Sequence, residues 1–412
     1  YLVIGEGEEC VVDLLEALDA GDPLDGIEGI AFRSNGHVTV NKRRARRDSV
    51  DSVAPPSWEH FKIDTYHRYR FVGGMYSKSL TVPILATRGC PYQCTYCSAP
   101  NMWLPRWIPR DPKQLVDEIE RYVNTYGARN FPFQDLTAII QKDWIVAFCR
   151  EILDRGLKIT WQLPTGTRSE AIDAEVASLL KQAGMTSMAY APESGSETTR
   201  KLIKKKMKTE QLFDSIAAAV GAELNVAIFL VIGFPHDRPE HLDENFPFID
   251  RLAEAGVTDL SVGYYMALPG TQLFDSLYDS GKITLDLAYF RHILDSLSLF
   301  PSQSYCETVS RLELMRWKLQ LLLRFYGAKQ RLSLSSGGFI ASLRRAASGL
   351  IGDSAHESKL QTAIRNGITS AFETVSAAFQ RRWISRHEEA LMFRRWDEIY
   401  RRIRREKLNL GV

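Results

Sequence analysis

The segment Arg88-Gly89-Cys90-Pro91-Tyr92-Gln93-Cys94-Thr95-Tyr96-Cys97 holds three of the chain's six cysteines within eight positions. Three thiolates on one tight loop can hold three irons of a cubane cluster, whereas a fourth cysteine would close it. The remaining iron then stays open to a ligand that reacts. Two plainer readings compete. The triplet could be part of a zinc site completed by a distant histidine, but zinc motifs usually pair two Cys-x2-Cys halves and no second half is present. The thiols could also be core residues, which Gly89, Pro91 and the polar residues around them argue against. The other cysteines are scattered. Cys149 lies on the apolar face of a helical stretch and reads as a core thiol. Cys10 and Cys306 have no evident partner.

The loop needs elements to position it, and from about residue 80 the sequence supplies a regular alternation. Short apolar runs fall at Val82–Ala86, Asn130–Phe133, Ile159–Leu163, Met185–Ala191, Ala227–Ile232 and Asp259–Tyr264. Helical patterns lie between them. One opens at Asp111-Pro112, an N-cap followed by Pro at the first helical position, and continues with Leu115, Ile119, Tyr122, Val123 and Tyr126 at helical spacing. Others cover roughly 144–154, 174–183, 211–222 and 242–255. Six strands separated by helices predict a parallel sheet, since parallel neighbours need a crossover. Six units fall short of the eight that close a full barrel, so a partial (β/α)6 barrel is expected. The cysteine loop follows its first strand, at the end where such barrels carry their sites.

The flanks differ from this body. Residues 1–20 predict a strand end, a Gly-rich turn and a helix with Val11, Leu14, Leu15 and Leu18 on one face. Residues 27–41 predict a hairpin around Asn35-Gly36. Lys42–Pro56, with five basic residues and a closing Pro-Pro, reads as a solvated polar connector. After about residue 285 the alternation gives way to helical patterns at Leu312–Tyr326 and Phe339–Ile351. A last one carries Met392, Trp396, Ile399, Tyr400 and Ile403 as a stripe among arginines. This yields four regions: 1–41, a linker at 42–79, the barrel at 80–285 and a basic helical domain at 286–412.

Composition is that of a globular chain, with 45% apolar and 25% charged residues over 412 positions. The net charge of +2 hides a split. Residues 311–412 carry 20 Lys/Arg against 9 Asp/Glu, a net of +11, and the rest holds 32 against 41, a net of −9. Six cysteines are too few for a disulfide-stapled scaffold, and no apolar run reaches the roughly 20 residues of a membrane span. The sequence opens without Met and without a signal-peptide pattern, so the true N-terminus is expected upstream.

The Cys-x3-Cys-x2-Cys spacing, with aromatic Tyr96 before the last cysteine, resembles the radical S-adenosylmethionine (SAM) enzymes. The resemblance runs over roughly residues 80–275 and points to the cobalamin-binding branch. Phe133-Gln134-Asp135 is similar to that branch's Asp-Asp segment, with Gln134 a departure. Thr167-Arg168 matches a Thr-Arg after the third strand. Glu193-Ser194-Gly195-Ser196 resembles the Glu-Ser-Gly turn near the cofactor, although Pro192 before it is less usual. Gly233-Phe234-Pro235 and Pro269-Gly270-Thr271 are typical of the branch. Gly5-Glu6-Gly7-Glu8 and the helix after it resemble the end of a Rossmann-like cobalamin-binding domain, of which residues 1–41 would be the C-terminal remnant. No Asp-x-His-x-x-Gly cobalt-ligand motif is present, so cobalamin is implied by resemblance alone.

The resemblance implies a 4Fe–4S cluster on Cys90, Cys94 and Cys97, with SAM on the open iron and one electron cleaving it to a 5′-deoxyadenosyl radical. Expected cofactor contacts are Tyr96 to the adenine, Glu193 with Ser194 to the ammonium or ribose, Asp135, and Arg168 to the carboxylate. The plainer reading of Asp135 is a helix N-cap, that of Arg168 an ion pair with an acid such as Asp173, and that of Glu193 a surface-turn acid. His236 and His241 read as solvated loop residues. The reaction expected is cobalamin-dependent C-methylation of a small molecule or lipid. The alternatives are an oxidative cyclase resembling the anaerobic Mg-protoporphyrin ester cyclase, an RNA methylthiotransferase, and a non-catalytic iron–sulfur module. Methylthiotransferases carry further cluster cysteines ahead of the motif, whereas only Cys10 precedes it here. Partners implied are an electron donor such as flavodoxin or ferredoxin. A cytoplasmic location follows, with peripheral membrane contact through the basic C-terminal helices; nucleic acid is not expected as a partner.

Overall fold

A computed structural model describes residues 1–69, 73–75, 77–335 and six positions between 394 and 404. The helices expected at 339–351 and over most of 392–403 lie outside the described residues. The fold is α/β with parallel strands, and it divides into two compact units interleaved along the chain. The first comprises Tyr1–Gln93, Ser98–Tyr190 and Asp214–Asn225; the second comprises Cys94–Cys97, Ala191–Phe213 and the described residues from Val226 onward.

In the first unit, β1 (Leu2–Val3), β2 (Ile30–Ser34) and β3 (His37–Val40) form an antiparallel sheet. The β2–β3 hairpin turns at Asn35 and Gly36, with φ of 49° and 76°, a conformation that Asn-Gly tolerates and branched residues do not. The helix Glu8–Ala20 lies on this sheet by a narrower face than the periodicity predicts. Cys10 and Leu14 are buried with Ile30 and Phe32, while Val11, Leu15 and Leu18 are exposed. Sγ of Cys10 lies 3.4 Å from the carbonyl oxygens of both Glu28 and Gly29.

The solvated connector is corrected most clearly. Arg44 pairs with Glu9 and Asp13, and Arg47 with Glu9. The Arg46 side chain is 5% exposed, pairs with Glu6 and donates to the carbonyls of Trp103 and Arg106. Arg43 donates to the carbonyls of Asn101 and Met102, which end the short helix Ala99–Trp103. Counting charges alone cannot find these partners, because the carbonyls lie 57–60 residues away. Later in the same linker, Met75 is held through both its N–H and its carbonyl by the Gln162 amide, at 2.7 and 2.8 Å.

The first expected strand, 82–86, joins the parallel set through isolated bridges at Thr81–Asn130 and Ile84–Phe133. Val82 and Ile84 donate to the carbonyls of Asn130 and Pro132, at 3.0 Å each. Pro83, which has no N–H, alternates with these two donors and so interrupts neither bond. The chain then forms β4 (Thr87–Gly89), which pairs antiparallel with β5 (Trp107–Pro109). Next come β6 (Asn130–Pro132), β7 (Thr160–Thr167) and β8 (Met185–Glu193), parallel neighbours with a register irregularity between β7 and β8. Phe133, Trp161 and Phe148, with ring centroids 5.1–5.5 Å apart, fix this layer to the helix Lys142–Asp154, where Cys149 is buried as expected. The helix Pro112–Tyr126 is capped by Asp111, which accepts from Gln114 N–H at 3.0 Å.

In the second unit, β9 (Asn225–Ile232) and β10 (Asp259–Tyr264) pair in parallel over six residues. Val226, Ile228, Leu230 and Ile232 are buried, while the alternate residues are half-buried, so β9 has two unlike faces. The single helix expected at 242–255 is two, Pro239–Asp243 and Asn245–Glu254. A long helix, Arg311–Ser335, covers the pattern read at 312–326. Among the described residues no helix is long and apolar enough to cross a membrane.

Candidate cofactor site

Each motif singled out in the sequence sits at or just after the C-terminal end of its strand. The cysteine loop leaves β4 at Gly89, whose φ is 90°. A Cβ there would lie 2.2 Å from the Arg106 carbonyl oxygen, so only glycine fits. Cys90 belongs to the first unit, Cys94 and Cys97 to the second.

In the first unit, Arg88 pairs with Glu6 at 3.2 Å and with Glu8 at 2.5 Å, and lies over the Trp103 ring. The loop's approach is therefore fixed by ionic contacts to the Gly-Glu-Gly-Glu turn. Asp135 is 1% exposed, and its carboxylate accepts from the N–H groups of Ala86 and Thr87 and from the Thr87 hydroxyl at 2.6 Å. It braces the strand that carries the cysteines rather than capping a helix. Burial lifts its carboxyl to about 6 against the pull of those hydrogen bonds. Arg168 pairs with Glu170 and stacks on Tyr92 of the cysteine loop at 4.1 Å. Asp173, the acid expected to pair with it, instead caps the helix Ala174–Gln182 and binds Lys142.

In the second unit, Glu193 ends β8 with φ of 67°, left-handed for a non-glycine residue, the kind of backbone strain that clusters at functional sites. Its Oε1 accepts from the Tyr96 hydroxyl at 2.7 Å and from Lys205 Nζ at 2.9 Å. Burial, then the charge of Glu193, push the Tyr96 phenol well above its ordinary value, so it stays a donor. The Ser194 hydroxyl accepts from Ser196 N–H at 3.1 Å. Arg200, 3% exposed, clamps the carbonyls of Ser194 and Gly195 at 2.6 and 3.0 Å. A Cβ on Gly195 would meet that of Phe248 at 2.7 Å. Sequence reasoning missed Lys205 and Arg200, both hidden in a run of basic residues that looks like a solvated face.

The Gly-Phe-Pro loop after β9 is held by Asp237, 2% exposed, which accepts from Gly233 and Phe234 N–H and from the Thr199 hydroxyl. The Phe234 ring meets Tyr96 edge-on at 5.5 Å, and its carbonyl accepts from the Cys306 thiol at 3.2 Å. His236 and His241 are half-buried rather than solvated, each with one ring nitrogen sealed from solvent and unbonded among the described residues. Burial lowers the His236 value.

Burial also raises the Asp237 carboxyl from 3.8 to about 6. The fold thus prefers its protonated form, so this group's contribution is full below about pH 4 and lost as pH rises through about 6. An Asp237→Asn variant has no such loss. Relative to wild type, its unfolding free energy is expected to improve by about 3 kcal/mol between pH 4 and pH 8, read from urea midpoints. A gap that does not move with pH would show that Asp237 ionises as it does in water.

The Radical SAM superfamily model matches residues 84–249. Residues 84–249 are similar to a radical SAM domain. The match supports an enzyme, and that family implies a SAM ligand and a 4Fe–4S cluster. Over 275 residues, this chain is 26% identical to an uncharacterized methyltransferase of Pyrococcus horikoshii, covering 66% of this chain and 57% of the relative. Over 288 residues, it is 27% identical to the anaerobic magnesium-protoporphyrin IX monomethyl ester cyclase of Cereibacter sphaeroides, covering 68% and 45%. The chain spans about half the length of these curated relatives. The cobalamin-dependent SAM radical enzyme OxsB, solved with aqua-cobalamin and SAM bound, superposes with a TM-score of 0.55 at 17% identity, over 96% of this chain and 67% of that one. At that identity the likeness is one of fold.

The donor chemistry of the loop fits a cluster. Its three cysteines are free of disulfides and half-buried. Among the described residues no three His, Cys, Asp or Glu side chains are gathered as a metal site.

Proposed function

We propose that this protein is a radical SAM enzyme that functionalises an unactivated C–H group, most simply by cobalamin-dependent methylation of a small molecule or lipid. The observation that carries the reading is the Cys90-x3-Cys94-x2-Cys97 loop on a strained Gly89 hinge, within the matched radical SAM region. We read residues 80–285 as the partial (β/α)6 barrel, 1–41 as the remnant of a cobalamin-binding domain, 42–79 as the link between them and 286–412 as a basic helical domain. Cys90, Cys94 and Cys97 are its cluster ligands, and Glu193 and Ser194, with Tyr96, Asp135 and Arg168, its cofactor-binding residues.

When bound, the cluster and SAM supply a one-electron reductive cleavage and a hydrogen-abstracting radical, the electron coming from a flavodoxin- or ferredoxin-class donor. The chain's own residues position and shield this chemistry. Glu193 presents a carboxylate to a cationic ligand group. Asp135 and Arg88 hold the strand and loop, and Arg200 fixes the turn on which Glu193 sits. Cobalamin enters through the fold likeness to OxsB and the branch resemblance; this chain offers no cobalt-ligand motif, and no step is routed through it.

The test is product analysis on protein reconstituted anaerobically with iron, sulfide and cobalamin. S-adenosylhomocysteine, 5′-deoxyadenosine and a methylated product are expected together. Deoxyadenosine without a methylated product would favour the cyclase-type reading, which the identity to the Cereibacter sphaeroides cyclase supports. A cluster that never cleaves SAM would leave an iron–sulfur module and overturn both.

A further inference from the structure

Glu193 is engaged asymmetrically. Both of its donors, the Tyr96 hydroxyl at 2.7 Å and Lys205 Nζ at 2.9 Å, reach the same oxygen, Oε1. Oε2 takes no hydrogen bond from any described residue. The Glu193 and Lys205 side chains are 10% and 13% exposed, so the pair is largely buried while Oε2 keeps its acceptor capacity for a ligand. The backbone of Glu193 is left-handed, and its turn is clamped by Arg200 and Asn245. The turn is therefore held by its backbone, and the carboxylate by its two donors on Oε1. One oxygen is anchored and the other is kept back.

Tyr96 stands between Thr95 and Cys97, and the Thr95 flank is tied through both of its backbone groups. Thr95 N–H donates to the Ile203 carbonyl at 3.0 Å, and Leu273 N–H donates to the Thr95 carbonyl at 3.1 Å. The ring is fixed edge-on against Phe234 at 5.5 Å. The phenol is thus a rigid donor on the segment that carries Cys94 and Cys97, and its hydroxyl does something the ring does not. It sets the direction of the Glu193 carboxylate. Lys205 neutralises that carboxylate but hangs on a flexible stem, so it balances charge more than it fixes geometry.

We propose that Tyr96 is a positioning residue for Glu193, its hydroxyl pinning Oε1 beside Lys205 so that Oε2 is presented to the ammonium of a bound amino-acid group, here the methionyl end of SAM. This rests on the radical SAM reading and adds to it a specific role for the hydroxyl. One hydrogen bond then aligns the cofactor-binding carboxylate with the cysteine segment.

The test is a double-mutant cycle on the full chain, reconstituted anaerobically, with SAM as the probe and equilibrium dialysis as the readout. Tyr96→Phe keeps the ring against Phe234 and removes only the hydroxyl. It is expected to retain wild-type iron content and to bind SAM about tenfold more weakly, the order expected for a lost hydrogen bond to a charged group. Glu193→Gln is expected to weaken binding by at least as much. In the Glu193→Gln background, Tyr96→Phe is expected to add little, because the hydroxyl acts through the carboxylate. Additive losses would overturn the proposal, as would a Tyr96→Phe protein that binds SAM like wild type. So would one that loses iron along with SAM, since the hydroxyl would then be holding the loop. A wild-type protein that carries the cluster but binds no SAM would instead overturn the functional reading itself.

Discussion

A Cys94→Ala protein is expected to fold, to lose most of its cluster iron and to lose reductive SAM cleavage altogether. Cys94 opens the loop segment that belongs to the second unit, and Cys97 N–H donates to its carbonyl at 3.2 Å. That hydrogen bond is made by the backbone, so alanine leaves the turn intact and removes only the sulfur. Cys94 is half-buried and the loop is tied independently at Thr95, so the cost in stability is small. The effect on the cluster is not small, because two thiolates cannot hold a cubane that the loop binds through three. Iron and sulfide per chain, together with 5′-deoxyadenosine formed under reducing conditions, check this. Cys149→Ala is the contrast: that thiol is 1% exposed in the core and burial raises its value, so its loss should leave a cavity and an unchanged iron content. If Cys94→Ala retains full iron, the cluster assignment fails.

The second large effect is expected from Gly89→Ala, one residue before Cys90. Gly89 ends β4 opposite Trp107, at φ of 90°, and an added Cβ would lie 2.2 Å from the Arg106 carbonyl oxygen and 2.9 Å from the Arg46 guanidinium. The carbonyl is backbone directly before the paired strand and cannot swing aside, so β4 and β5 must separate. Strain and collision together are expected to cost on the order of 3 kcal/mol. The displacement passes directly into Cys90. Gly127→Ala is the matched control, since φ there is 69° but nothing lies within 4 Å of the new Cβ. It should cost about 1 kcal/mol from the backbone alone and leave the iron untouched. Urea midpoints and iron content of the two variants decide the matter. If Gly89→Ala and Gly127→Ala behave alike, the close approach at the hinge is not what sets the loop.

Much of the scaffold was legible because it is locally encoded. Asp111-Pro112 caps its helix as the residue types predict, and Asn35-Gly36 turns its hairpin. The last expected strand, 259–264, has the observed bounds. These features depend on residues within a few positions of one another, where covalent reach and backbone preference decide the outcome. The exceptions show where local patterning fails. The helix Glu8–Ala20 offers Val11, Leu15 and Leu18 at the right spacing, yet the face that found a partner is that of Cys10 and Leu14. Periodicity says that a face exists; the neighbouring sheet says which one is covered.

The grouping of the three cysteines was determined by sequence alone, because residues within eight positions must share a loop wherever that loop is placed. Around Glu193 only the tertiary structure could decide. Tyr96 lies 97 residues from Glu193 and Lys205 lies 12, and no periodicity links them. The charges of Arg46 and Arg200 are plain in the sequence, but whether a cation is solvated or clamps carbonyls depends on what the fold brings within about 3 Å of it. Thiol spacing is fixed by the covalent chain. The direction of a carboxylate is fixed by donors that only folding can assemble.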